Sequence, residues 1–143
     1  MEYSIDKLMT AEEVDSMEQI AQKELGDLQY RRTTLTRRVV SLRDRSTSLE
    51  TEKLRVTTEL SALETAMTGM DTSSDLYRAM SADKVRLDYR MFLLTEREES
   101  VGLLTQLDLE LQVNQVIRQI SEATGFVTAL QARREALTPV PPQ

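Results

Sequence analysis

Carboxylates are the side chains in this sequence whose types and spacing come closest to catalytic chemistry. Adjacent Glu98 and Glu99 would form a general acid and base only if a pocket desolvated one of them, and neighbouring side chains on a helix diverge. The 143 residues include no His and no Cys, which excludes the usual zinc sites, iron–sulfur clusters, thiol chemistry and disulfides. No Gly-rich phosphate loop is present either. We therefore expect no enzyme, no metal and no cofactor.

Two charged clusters could instead bind partners. The carboxylates between Glu12 and Glu18 could hold a cation or a basic partner, but a solvated helix start stabilised by the helix dipole explains them more simply. A run of arginines could contact nucleic acid, yet only Tyr30 lies among them for base stacking and the net charge is −6. We therefore expect no nucleic acid partner, but a solvated face that pairs with acidic residues of a second helix. The arginines are Arg31, Arg32, Arg37, Arg38, Arg43 and Arg45.

The elements that carry these groups are predicted to be long helices. Leu or Val recurs at every seventh position from Leu28 to Leu63, which is typical of a coiled coil. These d positions are Leu28, Leu35, Leu42, Leu49, Val56 and Leu63. A second series of d positions comprises Leu109, Val116, Ala123, Leu130 and Leu137. The two series predict two helices that pair with each other.

Capping signals predict where these helices begin and end. Thr10 and Thr95 each start a pattern that fits a capping box, in which a Thr hydroxyl and a Glu three residues later satisfy free N–H groups. Gly69 is expected to end the first helix and Pro139 the second. The helices are therefore predicted at about 10–68 and 96–138. Because their coiled-coil segments are nearly equal in length, we expect an antiparallel pair.

The segment between the helices has two competing interpretations. From Val85 to Leu93 apolar and polar side chains alternate, as in a half-buried strand, and residues 76–80 could be its partner strand. The alternative is a helix capped by Ser74, but that helix would leave Val85 and Phe92 off the seam. We favour a β-hairpin at 76–94, whose strands would pair with other chains because a lone hairpin is marginal in water. The predicted oligomerisation strand residues are Leu76, Met80, Val85, Leu87, Tyr89, Met91, Phe92 and Leu93.

The predicted fold is mainly α, a long antiparallel two-helix coiled coil with a β-hairpin inserted at the helix–helix connection. This order resembles the β-type subunits of the prefoldin family. Leu76-Tyr77, then Arg90-Met91-Phe92-Leu93-Leu94-Thr95 with Glu96, Glu98 and Glu99, are similar to the strand and helix start of that family, and Ala132-Arg133-Arg134 is similar to its last helix. The chain then divides into an acidic extension and helix start at 1–24, a prefoldin-like unit at 25–138 (helix 25–68, β-hairpin 76–94, helix 96–138) and a Pro-rich tail at 139–143.

The resemblance implies an ATP-independent co-chaperone, a holdase that passes unfolded proteins to the cytosolic chaperonin. Its partners would be other prefoldin-type subunits in a heterohexamer and unfolded clients of the actin and tubulin class. Clients would bind at the coiled-coil tips, where both termini lie and where fraying exposes apolar side chains. The predicted tip residues are Met9, Met17, Ile20, Leu25, Val127, Leu130 and Leu137.

Two other functions stay open, a structural coiled-coil component of a larger complex and a two-helix escort protein of an export ATPase. The longest apolar runs fall far short of the ~20 residues that span a bilayer, so no membrane partner is expected. Residues Met1–Ser4 show neither the basic nor the apolar region of a secretory signal. We therefore expect a cytoplasmic protein.

Overall fold

A computed structural model describes residues 3–138 of the chain. Its elements are a short 3₁₀ turn at Ile5–Lys7 and three α-helices, α1 at Ala11–Met67, α2 at Asp75–Ser100 and α3 at Leu103–Leu137. These described residues contain no β-strand. The prediction of a mainly α chain with long helices is confirmed, whereas the predicted β-hairpin is wrong.

Helix α1 starts and ends where the capping signals predict. The Thr10 hydroxyl accepts a hydrogen bond from the Glu13 N–H at 3.2 Å. In return, Glu13 Oε2 accepts from the N–H groups of Thr10 at 3.3 Å and Met9 at 2.9 Å, which satisfies donors that a helix start otherwise leaves free. The helix ends at Met67, and Gly69 follows with a φ of +78°, a left-handed conformation that glycine adopts without strain.

The chain folds as two compact units, and α1 contributes residues to both. Unit 1 comprises Met1–Arg38 and Leu109–Gln143, and unit 2 comprises Val39–Asp108. Along α1 and α3 every predicted d position is buried or half-buried. The heptad pattern therefore identifies correctly which side of each helix faces its neighbour.

In unit 1 the first half of α1 packs antiparallel to α3. Arg134 Nε lies 3.1 Å from Asp15 Oδ1, and the Gln131 amide donates to Glu18 at 2.9 Å, so that later α1 residues meet earlier α3 residues. The core between these helices is small and entirely apolar. Val14, Ala21, Val127 and Leu130 form one cluster of it, and Leu35 and Val116 are also buried in this unit.

Unit 2 is a helical hairpin in which the second half of α1 packs antiparallel to α2. Glu64 pairs with Lys84 near the connection, at 3.4 Å. Farther from the connection, Glu52 pairs with Arg90, and Lys53 pairs with Glu98. The buried side chains of this unit are Val39, Val56 and Leu94.

The predicted strands at 76–94 are wrong, because α2 covers all of these residues. The Ser74 side chain caps the helix by accepting from the Tyr77 N–H at 3.1 Å. Leu94 is buried, and Leu87 and Met91 are half-buried, since a helix places these three on one face. The helix satisfies its own backbone hydrogen bonds, whereas a hairpin needs strands from other chains. The residues predicted as strands but found in α2 are Leu76, Met80, Val85, Leu87, Tyr89, Met91, Phe92 and Leu93.

The predicted start of the second helix at Thr95 is also wrong. Thr95 lies inside α2, where its hydroxyl donates to the Met91 carbonyl at 2.9 Å. The break comes later, at Val101 and Gly102, and a Cβ added to Gly102 would lie 3.2 Å from the Glu99 carbonyl oxygen. A side chain at that position would crowd the end of α2. The predicted Pro-rich tail at 139–143 lies outside the described residues.

Candidate protein-binding surfaces

An apolar groove opens between α1 and α3 in unit 1. Its volume is about 580 Å³. Met17, Ile20 and Leu28 line it from α1, and Phe126 lines it from α3. Charged side chains at the same groove belong to Glu24, Arg118 and Glu122. The groove therefore offers an apolar floor with charges of both signs beside it.

Two alanines in the seam explain why the groove exists. Ala21 is buried and Ala123 is half-buried, and both line the groove. The equivalent positions one heptad before and after them hold Val14 and Leu28 on α1, and Val116 and Leu130 on α3. A methyl group fills much less space than those side chains, and protein interiors otherwise pack densely. The missing side-chain volume leaves the surrounding apolar residues partly uncovered.

The N-terminal segment covers one side of this groove. The Tyr3 ring packs on Phe126 with 4.6 Å between ring centroids, and its hydroxyl donates to Glu122 at 2.7 Å. This hydrogen bond is the main cause of a raised pKa of Tyr3, followed by desolvation and then by the Glu122 charge. The neutral tyrosine is thus the form that the groove holds.

Arg133 fixes the same segment to α3. Its guanidinium donates to the carbonyl of Asp6 at 3.0 Å and to that of Leu8 at 2.8 and 3.0 Å. Ile5 and Leu8 pack against the core of unit 1. These contacts form because Arg133 presents several donors in a rigid fork. The described residues before α1, 3–10, are therefore packed as part of unit 1.

The structure separates the predicted tip residues into three groups. Val127 and Leu130 lie in the core of unit 1, where a client would reach them only if the helices separated. Met9 and Ile20 are exposed, at 70% and 62%. The half-buried members are Met17, Leu25 and Leu137. Met17 and Leu137 pack against the core that holds Val127 and Leu130, and Met17 and Ile20 meet in the groove. A role of the tip residues in client binding stays a prediction.

The heptad pattern does not predict that Leu28 and Phe126 line the groove. It places Leu28 in the seam, where this residue is half-buried, and it predicts no role for Phe126. The sequence does carry one signal for them. Phe126 is one of only six aromatic residues in the chain, and alanines interrupt both helices of the seam at this level. A seam weakened by alanines beside a rare aromatic side chain is typical of a gap that a partner could fill.

A second apolar surface lies on α2, on the face turned away from α1. Val85, Tyr89 and Phe92 are exposed at 67%, 63% and 58%. Their spacing places them on one side of the helix. The Tyr89 and Phe92 rings stack with 6.5 Å between centroids. We call these three residues the outer α2 face. Helix α2 is thus apolar on two opposite sides, and α1 covers only one of them.

More apolar side chains are exposed where α3 begins. Leu103, Leu104 and Leu107 belong to unit 2 and are exposed at 68%, 82% and 49%. Large exposed apolar patches on monomeric proteins often mark binding sites, and these three leucines lie within five consecutive residues. Unit 2 therefore exposes two groups of apolar side chains, the outer α2 face and these three leucines.

The arginines of the predicted run that lie in unit 1 are solvated as predicted, but they lack the predicted ion pairs. Arg31, Arg32, Arg37 and Arg38 are exposed, and within residues 3–138 none of the four forms an ion pair with an acidic side chain. The expected pairing with acidic residues of the second helix is wrong for these four. They form a solvated, positively charged stretch of α1.

Residues 3–138 contain neither a metal-ion site nor a membrane-spanning helix. No group of three acidic side chains there is arranged to hold a metal ion. None of the described helices combines the length and the apolar character that crossing a bilayer requires.

Comparison with protein-family models, with curated proteins and with solved structures gives no match for this chain. The groove of unit 1 and the outer α2 face are the surfaces that could bind a partner.

Proposed function

We propose that this chain is a non-enzymatic binding protein that holds an apolar segment of another protein in the groove of unit 1. The observation that carries the proposal is the groove itself, in which Met17, Ile20 and Phe126 stand beside a seam left open by alanines. A partner helix or extended segment with two large apolar side chains would fill this space. Met suits such a role because its flexible, polarizable side chain adapts to different partners.

The expected affinity is modest. Covering about 100 Å² of apolar surface per side chain stabilises a complex by about 2.5 kcal/mol for each side chain. Ordering the partner and losing its free motion offset much of this gain. The protein would therefore hold a segment reversibly, without nucleotide hydrolysis to release it. Holding without ATP is the part of the holdase prediction that the groove favours.

The larger assembly implied by the prefoldin resemblance stays a prediction. A heterohexamer of that family is built on strands from every subunit, and residues 76–94 lie in α2. Without those strands, the heterohexamer, the clients of the actin and tubulin class and the hand-over to a chaperonin rest on the resemblance alone. An escort role with an export ATPase does not require strands, and it too stays a prediction.

A structural component of a larger complex is the second candidate function. It is favoured by the outer α2 face, because Val85, Tyr89 and Phe92 have no partner within the described chain. On this view the chain would connect other proteins through exposed helix faces. The groove and the outer α2 face lie on different units, so that one protein could use both.

The groove can be tested with a fluorescein-labelled synthetic peptide that carries Leu on one helical face and Gln on the other. Fluorescence anisotropy would measure its binding to the full chain. We expect Ile20→Asp to weaken binding about tenfold because it places a charge beside the apolar floor. Ala123→Leu should weaken binding similarly because its side chain fills the groove.

The control is Tyr30→Ser, which removes another exposed apolar side chain of unit 1 that does not line the groove. Its affinity for the peptide should equal that of the wild-type chain. Circular dichroism would show that each variant keeps its helix content. Equal affinity of the wild-type chain, Ile20→Asp and Ala123→Leu, or no binding at all, would contradict the proposal.

A further inference from the structure

The outer α2 face carries charges in a fixed order along the helix. Arg78 precedes the three apolar residues, and Glu96 and Glu99 follow them. Arg78, Ala82 and Glu96 lie on the same side of α2 as Val85, Tyr89 and Phe92, because all are spaced by three or four residues. Between Arg78 and Glu96 the face therefore reads basic, apolar, acidic, and Asp75 lies before this stretch in the first turn of the helix.

These flanking charges are free to meet a partner. Arg78, Glu96 and Glu99 are exposed. In the described part of the chain none of them forms an ion pair. Other charges of α2 behave differently, since Lys84, Arg90 and Glu98 pair with α1. Arg78, Glu96 and Glu99 are therefore unpaired charges that lie beside the exposed apolar residues.

We propose that the partner of this face is a second copy of the chain, docked antiparallel through α2. A two-fold axis at the level of Leu87 places Arg78 of each copy opposite Glu96 of the other copy. The same axis places Val85 opposite Tyr89 and Ala82 opposite Phe92, so that small side chains meet large ones. One surface serves both copies, as in other two-fold interfaces.

The charge order is what selects a second copy and its direction. A parallel pair would place Glu96 against Glu96 and Arg78 against Arg78, and like charges in contact repel. An unrelated helix would have to present an acidic end opposite Arg78 and a basic end opposite Glu96. The face itself, reversed in direction, supplies that pattern together with an apolar centre.

The size of the surface predicts a weak dimer. The stretch from Arg78 to Glu96 is about 27 Å long at 1.5 Å per residue. Aromatic side chains offer about 150–250 Å² each, and more than half of the Tyr89 and Phe92 surfaces is exposed. Two copies would then bury on the order of 800 Å² of apolar side chain, which is below the usual size of a stable interface. We expect dissociation in the micromolar range.

Sedimentation equilibrium of the full chain, from about 1 to about 200 µM, would measure this association. The wild-type chain should shift from monomer to dimer within that range. Phe92→Ser should weaken the dimer about tenfold by removing apolar contact at the centre. A wild-type chain that stays monomeric at the highest concentration would overturn the proposal.

Charge reversal tests the antiparallel register. Arg78→Glu alone and Glu96→Arg alone should each weaken association about fivefold, because each creates two repulsive pairs across the axis. The double variant restores both attractive pairs and should return to within about twofold of the wild-type constant. Absence of this rescue would overturn the proposed register.

The matched control is Arg97→Glu. Arg97 is exposed and unpaired on the same helix, but it lies off the outer α2 face. It makes the same change in net charge as Arg78→Glu, and the association constant should stay unchanged. A loss equal to that of Arg78→Glu would mean that net charge, not the face, controls association. Peptide binding in the groove does not depend on these variants, so the two proposals can fail separately.

Discussion

The hydrogen bonds around Glu13 make the start of α1 sensitive to acid. Backbone N–H groups of Met9 and Thr10 donate to its carboxylate, and these bonds lower the pKa of Glu13 from its ordinary value of 4.5. A lowered pKa means that the folded chain favours the charged form. The stability that Glu13 contributes is therefore fully present above about pH 4.5 and is lost as the pH falls through the lower folded pKa.

We expect Glu13→Gln to remove this pH dependence. The amide oxygen of Gln still accepts hydrogen bonds, but it does not titrate. Melting temperatures of the wild-type chain should fall more steeply between about pH 5 and pH 3 than those of the variant. The matched control is Glu12→Gln, which changes the neighbouring first-turn carboxylate. If both variants lose the same acid sensitivity, general charge at the helix start is responsible and the capping contacts are not.

Whether a single apolar residue is buried or exposed was only partly predictable from the sequence. The heptad positions identify Val116 and Leu130 as inward-facing, and both are buried. Exposure at the ends of helices was harder to assign, because it depends on contacts that periodicity does not encode. Leu8 packs on the core of unit 1, and Arg133 holds its carbonyl. Nothing in the spacing of residues before α1 indicates that this segment folds back.

Gly26 lies inside α1 and Gly69 lies just after its end. Replacing each of them with Ala should change the stability of the chain in opposite directions. Gly69 has a φ of +78°, whereas Gly26 lies inside α1 with open space around the position of a Cβ. Gly69→Ala should destabilise the chain by about 1–2 kcal/mol because L residues are strained in the left-handed region. Gly26→Ala should stabilise it by about 0.5–1 kcal/mol because Ala favours helix. Urea unfolding followed by circular dichroism would measure both.

The sign of each change is the test, and each variant serves as the control of the other. The two substitutions add the same methyl group to the same chain. A destabilised Gly26→Ala would mean that α1 is not regular helix at this position. A neutral Gly69→Ala would mean that the turn after Met67 tolerates another backbone conformation.

The elements themselves were predictable where heptads repeat and not where they stop. Thr10 and Gly69 mark the bounds of α1, since capping chemistry is local. The segment from Val85 to Leu93 matches a strand in its alternation, yet it also places Leu87, Met91 and Leu94 on one helical face. Choosing between the two requires knowing whether other chains supply strand edges, which one sequence does not contain. Ser74 was the local signal for the helix, and it caps α2.

Charge governs how the exposed apolar surfaces behave in the whole molecule. The net charge is −6 and the isoelectric point is about 4.8, so copies repel one another at neutral pH. That repulsion opposes close approach of surfaces such as Leu103 and Leu104. The proposed α2 pairing overcomes it through opposite charges placed at fixed positions, whereas unspecific association has no such contacts.

We therefore expect unspecific association to peak near pH 4.8, where the repulsion vanishes and apolar surface stays exposed. Light scattering at fixed concentration should rise as the pH approaches this value from either side. Replacing Leu103, Leu104 and Leu107 with Gln keeps the net charge, so the maximum should stay at the same pH but become smaller. Scattering that keeps rising below the isoelectric point would indicate acid unfolding as its cause. An equal maximum in the Gln variant would place the association on other residues, and Phe92→Ser would then show whether the outer α2 face is responsible.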